Sequence, residues 1–343
     1  MQEKIILKNF SCTLFCPKGQ NELDIKKCNA QIPSILKNLR SPNFVRGNNR
    51  LMAVIEDTFI IVGDKMNSNI DRSITGEFSK TIWSKFRKGI DEYKLIENGD
   101  RIAVCISGGK DSMLMAKCIQ RLQKYSELRF EAEYIVMDPG YTYENRSKII
   151  ENAKTLDIPV KVMSTRIFES TAKAEKHPCF LCARLRRGWF YKTAQELNCN
   201  KIALGHHFDD VIETILMGML YGSQVQTMMP KLHSENYEGV QLIRPLYLVR
   251  ESDIIEWTNF NGLEFIQCAC RITRSEGSSK RAEIKQLLSQ LRKTNPAVDM
   301  NIFRSVENVN LQTLISYHRG KEYHHFLDDF DQGLSIKGTN NFK

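Results

Sequence analysis

No stretch of this 343-residue chain approaches the ~18 apolar residues that a membrane-spanning helix requires, so no membrane association is expected. The N-terminus lacks the basic patch, apolar run and small-residue cleavage site of a secretory leader, and a cytoplasmic location is expected. No internal repeat is visible. No histidine precedes His177, so Cys12, Cys16 and Cys28 have nothing nearby to complete a zinc site and read as free thiols. Ten cysteines would suit a disulfide framework in a short secreted chain, but the length and the missing leader argue against one. Cys105 and Cys118 sit inside apolar segments and read as buried small residues; metal or redox chemistry is left for others.

What is present is an ordinary globular composition, 42% hydrophobic and 26% charged, in a chain long enough for one large core plus an appendage. The formal net charge of +9 fits a polyanionic partner, because lysine and arginine gain affinity for phosphates by releasing condensed counterions. A merely basic surface fits it equally well.

Residues 1–78 differ in texture from the rest, with scattered turn signals and one alternating, β-branched stretch over 51–62, and read as a small N-terminal module with strands. From there apolar runs over 101–106, 133–137, 160–163 and 201–204 alternate with helical patterns over 82–93, 112–123, 144–156 and 184–197. That alternation predicts an α/β fold, a doubly wound parallel sheet over about 79–250, with ligands at the carboxyl ends of its strands. A helical C-terminal part follows over about 251–325, with patterns at 251–259, 281–292 and 298–308, and then a polar tail over 326–343 expected to be mobile.

The chemistry-bearing residues fall at the predicted strand ends. Ser107-Gly108-Gly109-Lys110-Asp111-Ser112 follows the first strand and opens a helix, so two glycines admit an anion and the helix start offers free amides. Lys110 would neutralise phosphate oxygens, Ser107 and Ser112 would donate hydrogen bonds, and Asp111 would orient the loop or hold magnesium. The motif is not the Walker pattern. It resembles the PP-loop of the ATP pyrophosphatase superfamily, whose members cleave ATP between the α and β phosphates and adenylate a substrate oxygen.

Asp138 ends the second strand, and Gly205-His206-His207-Phe208-Asp209-Asp210 lies between a strand and a helix, where Asp209 and Asp210 would cap the helix and one carboxylate reach a magnesium or adenylate. Cys179-Phe-Leu-Cys182 turns two sulfurs toward one metal, and the basic Arg184, Arg186 and Arg187 beside them favour thiolates. In Cys268-Ala269-Cys270 one thiol could join that pair from a distance; which of the two is open.

Together with Lys201-Ile-Ala-Leu-Gly-His-His-Phe-Asp-Asp210 and Arg244-Pro245-Leu246, the cysteine and basic motif resembles the tRNA 2-thiocytidine synthetase family over roughly residues 80–310. The resemblance implies a PP-loop domain using ATP and Mg2+, a 4Fe-4S cluster on Cys179, Cys182 and Cys268, and thiolation of an anticodon-loop cytidine in tRNA. It further implies Lys110, Asp111 and Asp210 as catalytic groups, with Ser107, Gly108, Gly109, Ser112, Asp138, Gly205, His206 and Asp209 around the nucleotide. A sulfur donor is required, either a cysteine desulfurase or free sulfide, and a homodimer is left open. The chain departs from the family in having Cys268-Ala269-Cys270 where a second Cys-x-x-Cys is usual. Other readings are a related thiouridine synthetase, a cluster-dependent desulfuration enzyme and a redox-sensing RNA-binding protein.

Overall fold

The computed structural model describes residues 43–47, 50–55, 58–61, 65–172, 178–266, 280–328 and 330. Cys12, Cys16, Cys28, Cys268, Cys270 and the tail beyond 330 lie outside the described residues. In the N-terminal stretch, the alternating segment separates into two strands of a three-stranded antiparallel sheet: β1 (Asn43–Gly47), β2 (Arg50–Ile55) and β3 (Thr58–Ile61).

The main body is a six-stranded sheet in the order β6-β5-β4-β7-β9-β8. Its members are β4 (Arg101–Ile106), β5 (Glu131–Asp138), β6 (Val160–Ser164), β7 (Lys201–Ala203), β8 (Lys231–His233) and β9 (Gln241–Ile243). All pair in parallel except β8, which runs antiparallel to β9 at the edge. β4 is buried on both faces, and its run Ile-Ala-Val-Cys-Ile is continuously apolar rather than alternating, as a central parallel strand must be. β7 through β9 are only three residues long, too short to carry a periodic signal; of these, β8 and β9 were not among the expected strands.

The helices supply the two outer layers. They are α1 (Lys65–Thr75), α2 (Ser84–Glu92) preceded by a π-helical turn at Ser79–Trp83, α3 (Lys110–Tyr125), α4 (Tyr143–Thr155), α5 (Ile167–Ala172) and α6 (Pro178–Glu196). After β7 come α7 (Phe208–Gly222), α8 (Glu251–Phe260), α9 (Lys280–Thr294) and α10 (Val298–Ser305). A hairpin, β10 (Ser316–Arg319) with β11 (Glu322–His325), occurs where only helix was expected. Its side chains are mostly exposed, so it shows no apolar face that could have marked it as strand. No helix among the described residues is long and apolar enough to cross a membrane.

The chain enters the sheet at its centre. It lays β5 and β6 on one side of β4, then returns to place β7 on the other. The connections leaving β4 and β7 therefore diverge, and a crevice opens between them at the carboxyl ends, where doubly wound sheets bind ligands. At the opposite end, Lys201 is 1% exposed and held by Asp100 at 2.6 Å and Glu97 at 3.2 Å. That pairing pins β7 beside β4 from below. Trp257 of α8 is fully buried and donates its indole N–H to Ser73 Oγ of α1 at 3.2 Å, tying the first helix to the C-terminal part.

Candidate active site

At the exit of β4 the chain must turn sharply into α3, and two glycines make that turn. Gly108 has φ +87°, and a Cβ there would lie 2.5 Å from Ile149 Cγ1, so conformation and space both demand glycine. Gly109 occupies the N-cap of α3 without a side-chain hydrogen bond, which leaves the first amides of the helix available to an anion. Ser112 Oγ accepts from the Ser107 amide and hydroxyl, both at 3.1 Å, and donates to the Gly109 carbonyl at 3.0 Å, locking the loop closed on itself.

Lys110 is held by Glu251 at 2.9 Å and by Asp111, whose Oδ1 lies 3.1 Å away but off the hydrogen-bond axis and without another partner. Burial alone would raise the Glu251 carboxyl; the hydrogen bond and charge of Lys110, then Lys285, outweigh it and pull the group down to about 2. For Lys110, burial would lower the ammonium, but Asp111 and Glu251 reverse the direction and raise it. The lysine is therefore fully charged and paired with two carboxylates.

Gly205, at the exit of β7, fits directly against this turn: a Cβ on it would come within 2.9 Å of Ser112 N and Cα. His207 follows as the N-cap of α7 in a reciprocal capping box with Asp210, the Asp210 amide donating to Nδ1 at 3.4 Å and the His207 amide to Asp210 Oδ2 at 3.1 Å. Its Nε2 is 3.9 Å from both Asp111 Oδ1 and Glu251 Oε1. His206 turns the other way. Burial, then the Arg244 guanidinium, holds its pKa down at about 4, so the imidazole is neutral at neutral pH, and its Nδ1 has no partner.

The helix α6 starts at Pro178, earlier than the sequence pattern suggested, because proline at the first helical position loses no hydrogen bond and presets φ. Positions 179 and 182 thus share one helical turn, three residues apart and on one face. Cys182 is half-buried, and Arg186 lies one turn beyond it. A cavity of about 300 Å³ joins these elements: Ser107, Asp111 and Ser112 of the loop, Gly205 and His206 after β7, and Arg186, Arg187 and Tyr191 of α6. A larger cavity of about 440 Å³, bounded by Lys85, Tyr93, Phe208 and Arg250, contains none of the expected site residues.

Asp138, Asp209 and Asp210 are not among the residues that line the cavity. Asp138 accepts from the amides of Gly140 at 2.9 Å and Tyr141 at 2.7 Å, fixing the turn from which the Tyr141 hydroxyl donates to the Ser107 carbonyl at 3.3 Å. Asp209 accepts from the Glu251 amide at 2.7 Å and Arg292 at 2.8 Å, and Asp210 pairs with Arg281 at 2.8 Å. Both carboxylates thus fasten the start of α7 to α8 and α9. Cys268 lies outside the described residues, and among the described residues no three potential ligands gather in a metal-binding group.

Sequence reading missed Glu251 and the basic face of α9. Arg281, Lys285 and Arg292 follow helical spacing and meet Asp210, Glu213, Glu251 and Asp209. The signal was available as a cationic stripe, but a stripe of that kind is usually solvated, and nothing local named its partners.

A PP-loop domain family, ATP_bind_3, matches residues 79–290. A tRNA-cytidine(32) 2-sulfurtransferase of Vibrio cholerae is 37% identical over 239 residues, covering 68% of this chain and 75% of the relative. One from Alcanivorax borkumensis is 34% identical over 250 residues, covering 71% and 87%. Among solved structures, the U34-tRNA thiolase NcsA of Methanococcus maripaludis with its [4Fe-4S] cluster shares the fold at a TM-score of 0.54 and 22% identity, over 65% of this chain and 76% of that one.

Proposed function

Since this chain belongs to the PP-loop family, and within it to the tRNA-cytidine 2-sulfurtransferases, we propose that it adenylates the C2 oxygen of an anticodon-loop cytidine in tRNA with ATP and replaces that oxygen by sulfur. The observation that carries this reading is the single cavity shared by the phosphate loop, His206 and the arginine-bearing face of the cysteine helix. ATP activation and sulfur delivery must meet at one base, and here the phosphate loop and the helix that carries the cysteines border one space, the helix through Ala183, Arg186 and Arg187.

The base oxygen attacks the α phosphorus, and the bond to the bridging oxygen of pyrophosphate breaks. Lys110, the Ser107 hydroxyl and the amides at the start of α3 stabilise the charge that builds on the departing pyrophosphate. Asp111, with an unpartnered oxygen beside Lys110, suits a hard cation such as Mg2+ riding on the phosphates. The adenylated oxygen is now a good leaving group, so a sulfur nucleophile adds at C2, AMP departs and the sulfur proton is lost to solvent. Glu251 takes Lys110 back when the pyrophosphate leaves.

Cys179 and Cys182, on one turn of α6, fit two ligands of a 4Fe-4S cluster, with Cys268 as the third. Bound there, the cluster would supply an iron with one coordination position open to sulfur. Arg184, Arg186 and Arg187 continue the same helix and would grip the RNA backbone. A cysteine desulfurase or free sulfide would supply the sulfur.

The reading is tested by following ATP in the presence of tRNA. Expected products are AMP and pyrophosphate, formed faster with tRNA and lost in Lys110→Ala. Formation of ADP and phosphate, or turnover indifferent to Lys110, would sink it.

A further inference from the structure

Arg244 follows β9 and is 8% exposed. Its Nη1 donates to the Met229 carbonyl, its Nε has no partner, and among the described residues no carboxylate forms an ion pair with it. The acidic charge it does feel, Asp210, is already bound to Arg281 at 2.8 Å. Burial of a guanidinium in this condition is costly, and the cost shows in a pKa lowered, chiefly by burial, to about 10. The Met229 carbonyl satisfies one N–H of the group, and an anion arriving from outside would offset the burial of its charge.

Its surroundings are cationic or neutral and border the cavity. Arg244 is within electrostatic range of Arg187, Tyr191 and His206, all three of which line the space shared with the phosphate loop. Arg186 and Arg187 also lack ion pairs among the described residues. The Tyr191 ring is fixed by stacking on Tyr237 at 5.1 Å, and the neutral His206 carries a buried nitrogen without a partner. Arg186 and Arg187 thus line a cavity whose other wall holds the anion-binding turn through Ser107, Asp111 and Ser112, and Arg244 stands beside it: the pairing of Ala203 with Ile243 puts Arg244 next to Leu204, another lining residue.

We propose that Arg244, together with Arg186 and Arg187, forms a second phosphate subsite distinct from the phosphate loop. It takes a phosphate group that the loop leaves unheld, either the α phosphate of the nucleotide or the phosphodiester beside the target base. This rests on the reading that the cavity receives ATP and tRNA. The loop accounts for the pyrophosphate end of the nucleotide; the group next to the reacting oxygen needs its own counter-charge, and planar guanidiniums suit it.

The test uses the full chain, with Arg244→Met, Arg244→Lys and Arg187→Ala, measuring the thermal midpoint without ligand and equilibrium Kd for ATP and for a tRNA transcript across a salt series. Arg244→Met is expected to keep or raise the midpoint, because it removes an unpaired buried charge, and to weaken one ligand by about tenfold or more. Arg244→Lys restores only part of that affinity, since it keeps the charge without the fork. Weakened tRNA with a salt slope lower by about one and unchanged ATP assigns the phosphodiester; weakened ATP with unchanged tRNA assigns the α phosphate. If Arg244→Met does not fold, Arg187→Ala, on an exposed part of α6, carries the same expectation. Both Kd values within about twofold of wild type would overturn the inference, as would a fallen midpoint with binding intact. A wild-type protein that binds neither ATP nor tRNA would instead overturn the proposed function itself.

Discussion

Gly205 has no hydrogen-bonding side chain, yet α3 packs so tightly against it that the phosphate turn depends on its missing Cβ. Gly205→Ala is expected to cost about 1–3 kcal/mol by overpacking and to weaken ATP by displacing Ser112; thermal unfolding and ATP titration check both, and an unchanged ATP Kd would contradict the packing account. Two titrating groups set an acid limit. His206 is held at about 4 against an ordinary 6.5, so between those values the unfolded chain binds a proton that the native one refuses. Stability therefore falls as pH drops from 6.5 toward 4 and is indifferent to this group above 6.5. Glu251, depressed from 4.5 to about 2, adds stability that is complete above 4.5 and lost below it. Thermal midpoints against pH should flatten in the upper window for His206→Gln and in the lower one for Glu251→Gln. A wild-type midpoint that is constant from pH 6.5 to 4 would contradict this. The loop, its lysine and the two histidines were legible in the sequence because glycine and lysine at a strand-to-helix junction have few other uses. Glu251 was not, because a carboxylate in the first turn of a helix is an ordinary favourable placement.

Among elements, α9 is the least expected contributor. It follows the segment that carries Cys268, and its Arg281 and Lys285 reach Glu213, a carboxylate 2% exposed whose pKa is raised first of all by burial. Lys285 also meets Glu251, which in turn holds Lys110, so α9 and the phosphate loop share one chain of charges. Lys285→Met should leave Glu213 underpaired and cost about 1–3 kcal/mol. Adding Glu213→Gln should recover most of that loss, and a double-mutant cycle in urea measures the coupling. Additive effects would mean that the two groups act independently. The long strands β4 and β5 and the helices between them could be read from sequence because burial on both faces or on one face leaves a clear pattern. β8, β9 and the hairpin β10–β11 could not, since three or four residues with mixed exposure carry no period. The early start of α6 was hidden because the apolar pattern begins only after Cys182, while Pro178 sets the true boundary.

At the scale of the molecule, the excess of nine positive charges becomes interpretable once the site is placed. Arg186 and Arg187 of α6 line the cavity and the exposed Arg184 precedes them on the same helix, so part of the excess lies where the proposed RNA substrate would approach. Affinity for tRNA should fall steeply with salt, with a log–log slope of roughly 0.7–0.9 per phosphate neutralised, and Arg184→Ala should reduce that slope by about one; a binding constant insensitive to salt would remove RNA from the account. The central claim is that one cavity couples ATP cleavage to exchange of oxygen for sulfur on a cytidine. It is tested most directly by incubating anaerobically prepared protein with ATP, sulfide and unmodified tRNA, then quantifying AMP and thiolated nucleosides from the same reaction. 2-Thiocytidine and AMP are expected in equal amounts, both absent with Lys110→Ala. Sulfur entering the RNA without ATP, or AMP formed with no thiolated cytidine, would contradict it.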